Sequence, residues 1–161
     1  MKFINTLFAV FALSFSLSSF ALTDDESIEF GDALTEGKLK VVQKFITAEP
    51  KIVNDKIFGW SPIQMAANKG DIAIVKYLIS KGGDINYVHP VAQHSAFMLA
   101  ALNGQEEMVR FLAKSGADVN VKLKGDVSLI RYFTDEGNPH MVELLTSLGV
   151  KDDGCKEEQC F

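Results

Sequence analysis

Ser61-Pro62-Ile63-Gln64-Met65-Ala66-Ala67-Asn68-Lys69-Gly70 decides the fold, because it comes back. Thirty-four residues on stands Ser95-Ala96-Phe97-Met98-Leu99-Ala100-Ala101-Leu102-Asn103-Gly104. Thirty-three beyond that is Ser128-Leu129-Ile130-Arg131-Tyr132-Phe133-Thr134-Asp135-Glu136-Gly137. Stepping back thirty-three from Gly70 reaches Gly37, with Ala33 and Leu34 before it. A fixed period of this length is the mark of stacked supersecondary units.

The second half of each unit keeps the same register. Val41-Val42-Gln43-Lys44-Phe45-Ile46 is followed by Ile74-Val75-Lys76-Tyr77-Leu78-Ile79, Met108-Val109-Arg110-Phe111-Leu112-Ala113 and Met141-Val142-Glu143-Leu144-Leu145-Thr146. Apolar residues at i, i+3 and i+4 make each an amphipathic helix. Gly82, Gly116 and Gly149 stand where those helices stop, as left-handed helix ends require. The first copy has Glu49-Pro50 there, and proline also ends a helix. Two short helices cannot bury their apolar faces alone, so neighbouring units must stack around one continuous core. Ala66-Ala67 and Ala100-Ala101 are small where helices approach closely. Phe133-Thr134 replaces that pair in the fourth copy, so its first helix is expected to sit further out or to be distorted. The 34-residue step puts one extra residue in the loop around Tyr87–His94.

These residues resemble the ankyrin repeat, whose pattern runs T-P-L-H-x-A-A-x-x-G, then V-V-x-x-L-L, then G-A-D-V-N. The best matches are Ser61 to Ala67 and Gly116-Ala117-Asp118-Val119-Asn120, with Gly82-Gly83-Asp84-Ile85-Asn86 close behind. The resemblance implies an all-α solenoid of about four helix-turn-helix repeats joined by hairpin-like loops. The units are placed at about 24–56, 57–90, 91–123 and 124–154.

The chain of 161 residues begins with one lysine, Lys2, and carries no acidic residue before Asp24. A positive charge, an apolar run and small residues at Ser19 and Ala21 have the layout of a secretory signal peptide cut after Ala21. An uncleaved anchor over Phe3 to Phe20 is the alternative, although Asn5, Thr6 and four serines dilute it. Cleavage at this point leaves 140 of the 161 residues, with 15 basic residues against 21 acidic ones. Cys155 and Cys160 then enter an oxidising compartment, where pairing is the default, and the expectation is a tail disulfide within 155–161. An exposed reducible pair is the other reading of the same spacing.

The net charge of −5 disfavours a surface that tracks nucleic-acid phosphates. No G-x-S-x-G, H-E-x-x-H or phosphate-cradling glycine loop occurs. The acidic runs at Asp24-Asp25-Glu26, Glu106-Glu107 and Asp152-Asp153 read as solvated helix starts and tail charge. His89 and His94 share a loop around Pro90, and His140 lies far along the chain; without a nearby acid or thiol they read as surface residues rather than metal ligands. No catalytic residue and no cofactor are therefore expected.

Family resemblance places partner contacts on the loop tips and on the concave face built by the first helices. The matching positions are Ile57, Phe58, Trp60, Asn68 and Lys69; Val91, Ala92, His94, Leu102 and Asn103; and Lys124, Gly125, Val127, Asp135 and Glu136. Tyr87, Val88 and His89 join them on the elongated loop. Trp60 has two readings, a binding hot spot or a side chain folded back over the alanine seam. Leader and repeats together resemble small periplasmic ankyrin proteins of Gram-negative bacteria. That resemblance implies a module, monomeric when free and not inserted in a membrane after cleavage, that binds one protein partner, as an immunity protein neutralising a toxic effector. The alternatives are a catalase or oxidative-stress accessory that carries haem on His89 or His94, and a secreted factor binding a host protein.

Overall fold

The computed structural model describes residues 22–154, so the expected leader 1–21 and both Cys155 and Cys160 lie outside the described residues. Among the described residues eight α-helices follow one another: α1 (Asp24–Glu36), α2 (Leu39–Ala48), α3 (Pro62–Lys69), α4 (Ile72–Ser80), α5 (Ala96–Leu102), α6 (Glu106–Lys114), α7 (Leu129–Asp135) and α8 (Pro139–Ser147). A 3₁₀ turn, Pro50–Asn54, follows α2. Two isolated bridges, Ile57 with Trp60 and Leu123 with Val127, are the only β-type pairings among the described residues. The architecture is the expected all-α solenoid of paired helices.

Local chemistry sets the helix ends. Ser61, Ser95 and Ser128 each accept a backbone N–H three residues on, from Gln64 (3.2 Å), Met98 (3.2 Å) and Arg131 (3.1 Å). An oxygen at this place satisfies one of the helix's orphan donors, which explains why serine recurs there. At the other end, Gly116 adopts φ +90°, letting Ala117 N donate back to Leu112 O at 3.0 Å. Without a Cβ this left-handed turn is free of strain, and the chain reverses immediately after α6. In the first copy, Glu49 takes an extended conformation and accepts from Lys51 N (3.3 Å), so Pro50 opens the 3₁₀ turn instead of prolonging α2.

The core is continuous from unit to unit. Phe30, Leu34, Ile63, Phe97, Met98 and Leu129 are buried in it, together with the outer-helix residues Val42, Ile74, Val75, Met108, Val109 and Leu144. Ala66, Ala67, Ala100 and Ala101 are fully buried, and their size lets α1, α3 and α5 stack closely. α7 packs less tightly on α5 than α5 does on α3. Phe133 is buried where the alanine would be, edge-on to Tyr132 at 5.0 Å, and its volume holds the last inner helix away.

The connecting loops are not uniform. Ile57 and Trp60 exchange two backbone hydrogen bonds, 2.9 and 3.0 Å, around a two-residue tip. Leu123 N donates to Val127 O at 2.8 Å in the third loop. The middle loop, which carries the extra residue, forms no bridge; His89 N donates to His94 O and Gln93 N to His89 O, closing a wide turn.

Candidate functional site

The first hairpin carries one of the two most exposed large apolar side chains among the described residues. Phe58 is 81% exposed and has φ +51°, followed by Gly59 at φ +86°. Two successive positive φ values make the mirror-image turn that suits strand twist, and asparagine or glycine normally fills its first position. A phenylalanine there is held in a costly conformation with its ring in water. Val91, on the next loop, is also 81% exposed, and Val88 is 36% exposed.

Trp60 turns back from this tip and is half-buried, its ring 4.2 Å from that of His89. His89 was expected on the surface; it is buried instead, at 9% exposure. The reason lies in the inserted residue. A loop too long to pair across itself leaves backbone donors open, and His89 Nδ1 accepts from Val91 N (3.2 Å) and Ala92 N (3.0 Å). Acting as acceptor for two N–H groups, Nδ1 is turned toward the loop backbone and Nε2 toward the hairpin. A Cβ on Gly59 would stand 2.8 Å from that Nε2, so Gly59 is needed for its packing as well as for its turn. Ile57 is a second correction: at 5% exposure it belongs to the core, since the pairing with Trp60 points it inward.

Tyr87 is half-buried, donating from Oη to Gly59 O at 3.0 Å with Lys56 Nζ over its ring at 4.1 Å. His94 is half-buried, and its carbonyl accepts from Gln64 Nε2 at 2.6 Å. Gln64 is almost wholly buried; it also donates to Tyr87 O (3.2 Å) and accepts from Ser61 N (3.0 Å). One amide thus ties the second helix pair to the loop of the third.

On the inner-helix face Asn68, Lys69 and Asn103 are exposed, and Asn103 Nδ2 donates to Asn68 Oδ1 at 2.8 Å. Leu102 is half-buried against the core. Lys124, Gly125 and Asp126 are exposed at the third loop's tip, where Lys122 Nζ meets Asp126 Oδ2 at 2.7 Å. Asp135 and Glu136 are exposed at the end of α7, with Arg131 Nε 3.8 Å from Asp135 Oδ2. His140 Nδ1 lies 3.1 Å from Glu106 Oε1 on the outer helices, away from the other histidines. The structure therefore brings Phe58, Trp60, Tyr87 and His89 together, and Asn68 with Asn103.

Among the described residues no three His, Cys, Asp or Glu side chains converge in a way that could hold a metal ion. Nor is any described helix long and apolar enough to cross a membrane. As a haem ligand His89 fits poorly, because Nδ1 is occupied by two backbone donors and the buried ring is wedged between Trp60 and Gly59.

A ladder of asparagines escaped the sequence reading. Asn54 Oδ1 accepts from Asp84 N (2.8 Å), Asn86 Oδ1 from Asp118 N (2.7 Å) and Asn120 Oδ1 from Lys151 N (2.8 Å). Their spacings of 32 and 34 residues were the available signal. Gln64 was equally overlooked, since its partners are backbone groups that no residue pattern displays.

The family model described as "Ankyrin repeats (3 copies)" matches residues 31–122. Over 124 residues, 74% of this chain, the sequence is 26% identical to Ankyrin repeat, SAM and basic leucine zipper domain-containing protein 1 of Carollia perspicillata. Similarity to the protein of the same name from Dasypus novemcinctus is 24% over 133 residues, 80% of this chain. It is 30% identical over 120 residues, 72% of this chain, to Ankyrin repeat and SAM domain-containing protein 6 of Rattus norvegicus. The matched stretch covers only 26%, 28% and 13% of those relatives, respectively.

Proposed function

The chain belongs to the ankyrin-repeat family, and on that premise we propose that it is a non-enzymatic module recognising one protein partner through its loop tips and inner-helix face. Ankyrin repeats generally mediate protein–protein interaction. The observation that carries the reading is the pair of exposed apolar tips, Phe58 and Val91. Such side chains on neighbouring loops mark a contact surface, all the more because Phe58 fills a left-handed turn position where glycine or asparagine would be the unstrained choice. Trp60 packs on His89 and so fixes the hairpin that presents Phe58.

The proposal continues outside the described residues. Residues 1–21 direct export to the periplasm, cleavage follows Ala21, and Cys155 pairs with Cys160. In that compartment an immunity protein that sequesters a toxic effector is the role we favour, because exposed tips and a concave face are a binder's equipment. Affinity capture with the exported chain tests this, followed by mass spectrometry and measurement of Kd for the captured protein. Phe58→Ser should weaken that complex while leaving the helical signal intact; equal affinity for wild type and variant would overturn the assignment of the tips. N-terminal sequencing of exported protein should begin at Leu22.

A further inference from the structure

Beneath the first hairpin the inner helices leave a recess of about 320 Å³, lined by Thr35, Trp60, Gln64, Met65, Asn68 and Leu99. Its wall is contributed by α1, α3, α5 and the hairpin, so three successive units build it. None of the six side chains is ionisable. Most of their polar atoms are already engaged inside the fold. Thr35 Oγ1 donates to Gly31 O at 3.1 Å. Gln64 donates to Tyr87 O and His94 O and accepts from Ser61 N. Asn68 Oδ1 accepts from Asn103. What faces the recess is therefore mainly the indole of Trp60, the thioether of Met65 and the methyl groups of Leu99.

Chemistry follows from that lining. An ionised group entering the recess would lose hydration and find no opposite charge. An apolar group loses only unfavourable contact with water. The volume lies at the small end of ligand pockets, which span about 300–1,000 Å³, so it suits one side chain rather than a large molecule.

We infer that this recess is the anchor socket of the binding face, taking a single uncharged apolar side chain, aliphatic or aromatic, from a surface loop of the partner protein. The inference rests on the reading that the chain binds a protein through this face, and it specifies the contact's chemistry. The apolar tips Phe58 and Val91 continue the same character outward. Trp60 is the chain's one tryptophan, so its emission reports directly on occupancy.

The test uses the full chain and a displayed library of short randomised peptides. Selected peptides are synthesised and titrated against wild type, Thr35→Lys and Asn68→Glu, two charges of opposite sign at exposed rim positions. Calorimetry gives Kd, Trp60 emission gives location, and thermal unfolding confirms that both variants fold. The expected result is peptides sharing one apolar anchor, a shift in Trp60 emission on binding, and affinity reduced roughly tenfold or more by either charge. Peptides selected for a charged anchor would overturn the socket, as would failure to select any binder. Binding that leaves Trp60 emission unchanged and tolerates both charges, yet is lost in Phe58→Ser, would overturn the socket while sparing the proposal that the tips bind a protein.

Discussion

Replacing Gln64 by alanine probes the tie between the second and third units. The side chain is 1% exposed and makes three hydrogen bonds: Ser61 N to Oε1 at 3.0 Å, and Nε2 to Tyr87 O at 3.2 Å and His94 O at 2.6 Å. At about 1 kcal/mol net for each bond, and a further ~1 kcal/mol for leaving the buried Ser61 N–H unpaired, the expected loss is about 3–4 kcal/mol. Against a total of roughly 5–15 kcal/mol for an ordinary domain, that is a large share. Gln64→Leu separates hydrogen bonding from volume, because it keeps the bulk and loses all three bonds; the same count again gives about 3–4 kcal/mol, and any excess in Gln64→Ala measures the cavity. Gln64→His, the residue of the family pattern, retains a donor and an acceptor and should recover part of the loss. Urea unfolding followed by far-UV circular dichroism and by Trp60 emission measures each value. The two probes should separate in Gln64→Ala, since the hairpin then loosens before the array. If Gln64→Leu unfolds at the wild-type midpoint with a single transition, the hydrogen-bond reasoning is refuted and Gln64 acts merely as filler.

Three further outcomes follow from the geometry. In the first hairpin, Phe58→Gly should stabilise by about 1 kcal/mol by relieving a left-handed phenylalanine, whereas Gly59→Ala should destabilise by at least that much because its Cβ meets His89; a pair of urea midpoints moving in the same direction would contradict this. Ala66→Leu should cost about 1–3 kcal/mol, because α3 lies closely between α1 and α5, while Thr134→Leu on the exposed side of α7 should be nearly silent in thermal unfolding. The Glu26 carboxyl is held below its ordinary range by accepting from Thr23 N and Oγ1. Its stabilising effect is thus fully present above the ordinary carboxylate pKa and fades as pH falls through the lowered native value. Glu26→Gln should flatten that part of the acid limb of Tm against pH, and an unchanged curve would show that the cap carries no such linkage.

The elements that repeat were the ones legible in advance. Period, serine caps, alanine seam and glycine ends are each dictated by a core that every unit must rebuild, so each leaves a residue at a fixed offset. Even the looser seating of α7 could be read from Phe133-Thr134, because volume at a close helix contact acts directly on spacing. His89 and Ile57 were misread because a loop residue's burial depends on which backbone groups pair: the pairing with Trp60 turns Ile57 inward, and one inserted residue changes the account around His89. His89 moved inside to serve two amides left open by the longer loop. The asparagine ladder and Gln64 act over about thirty residues through the backbone, where no local pattern records the partner.

The position three residues after each capping serine shows how the array combines sameness with difference. In the second unit Gln64 serves its own Ser61 N–H and reaches the next loop; in the third, Met98 Sδ takes the Ser95 N–H at 3.4 Å and reaches nothing beyond. In the fourth, Arg131 lies toward Asp135, and Ser128 N donates instead to Asp153 Oδ2 at 2.9 Å, from the segment that follows α8. The same buried donor is satisfied three times by three different means, so the demand belongs to the fold while the choice of residue is free to vary. That freedom is used unevenly. The amide able to bind two units together sits beside the exposed Phe58 tip and lines the apolar recess, whereas the weaker thioether contact falls where α5 meets the more loosely seated α7. A binding face gains affinity when its parts are already fixed before the partner arrives. The amide that spans two units therefore stands where rigidity would serve recognition, between α3 and the loop of the third unit.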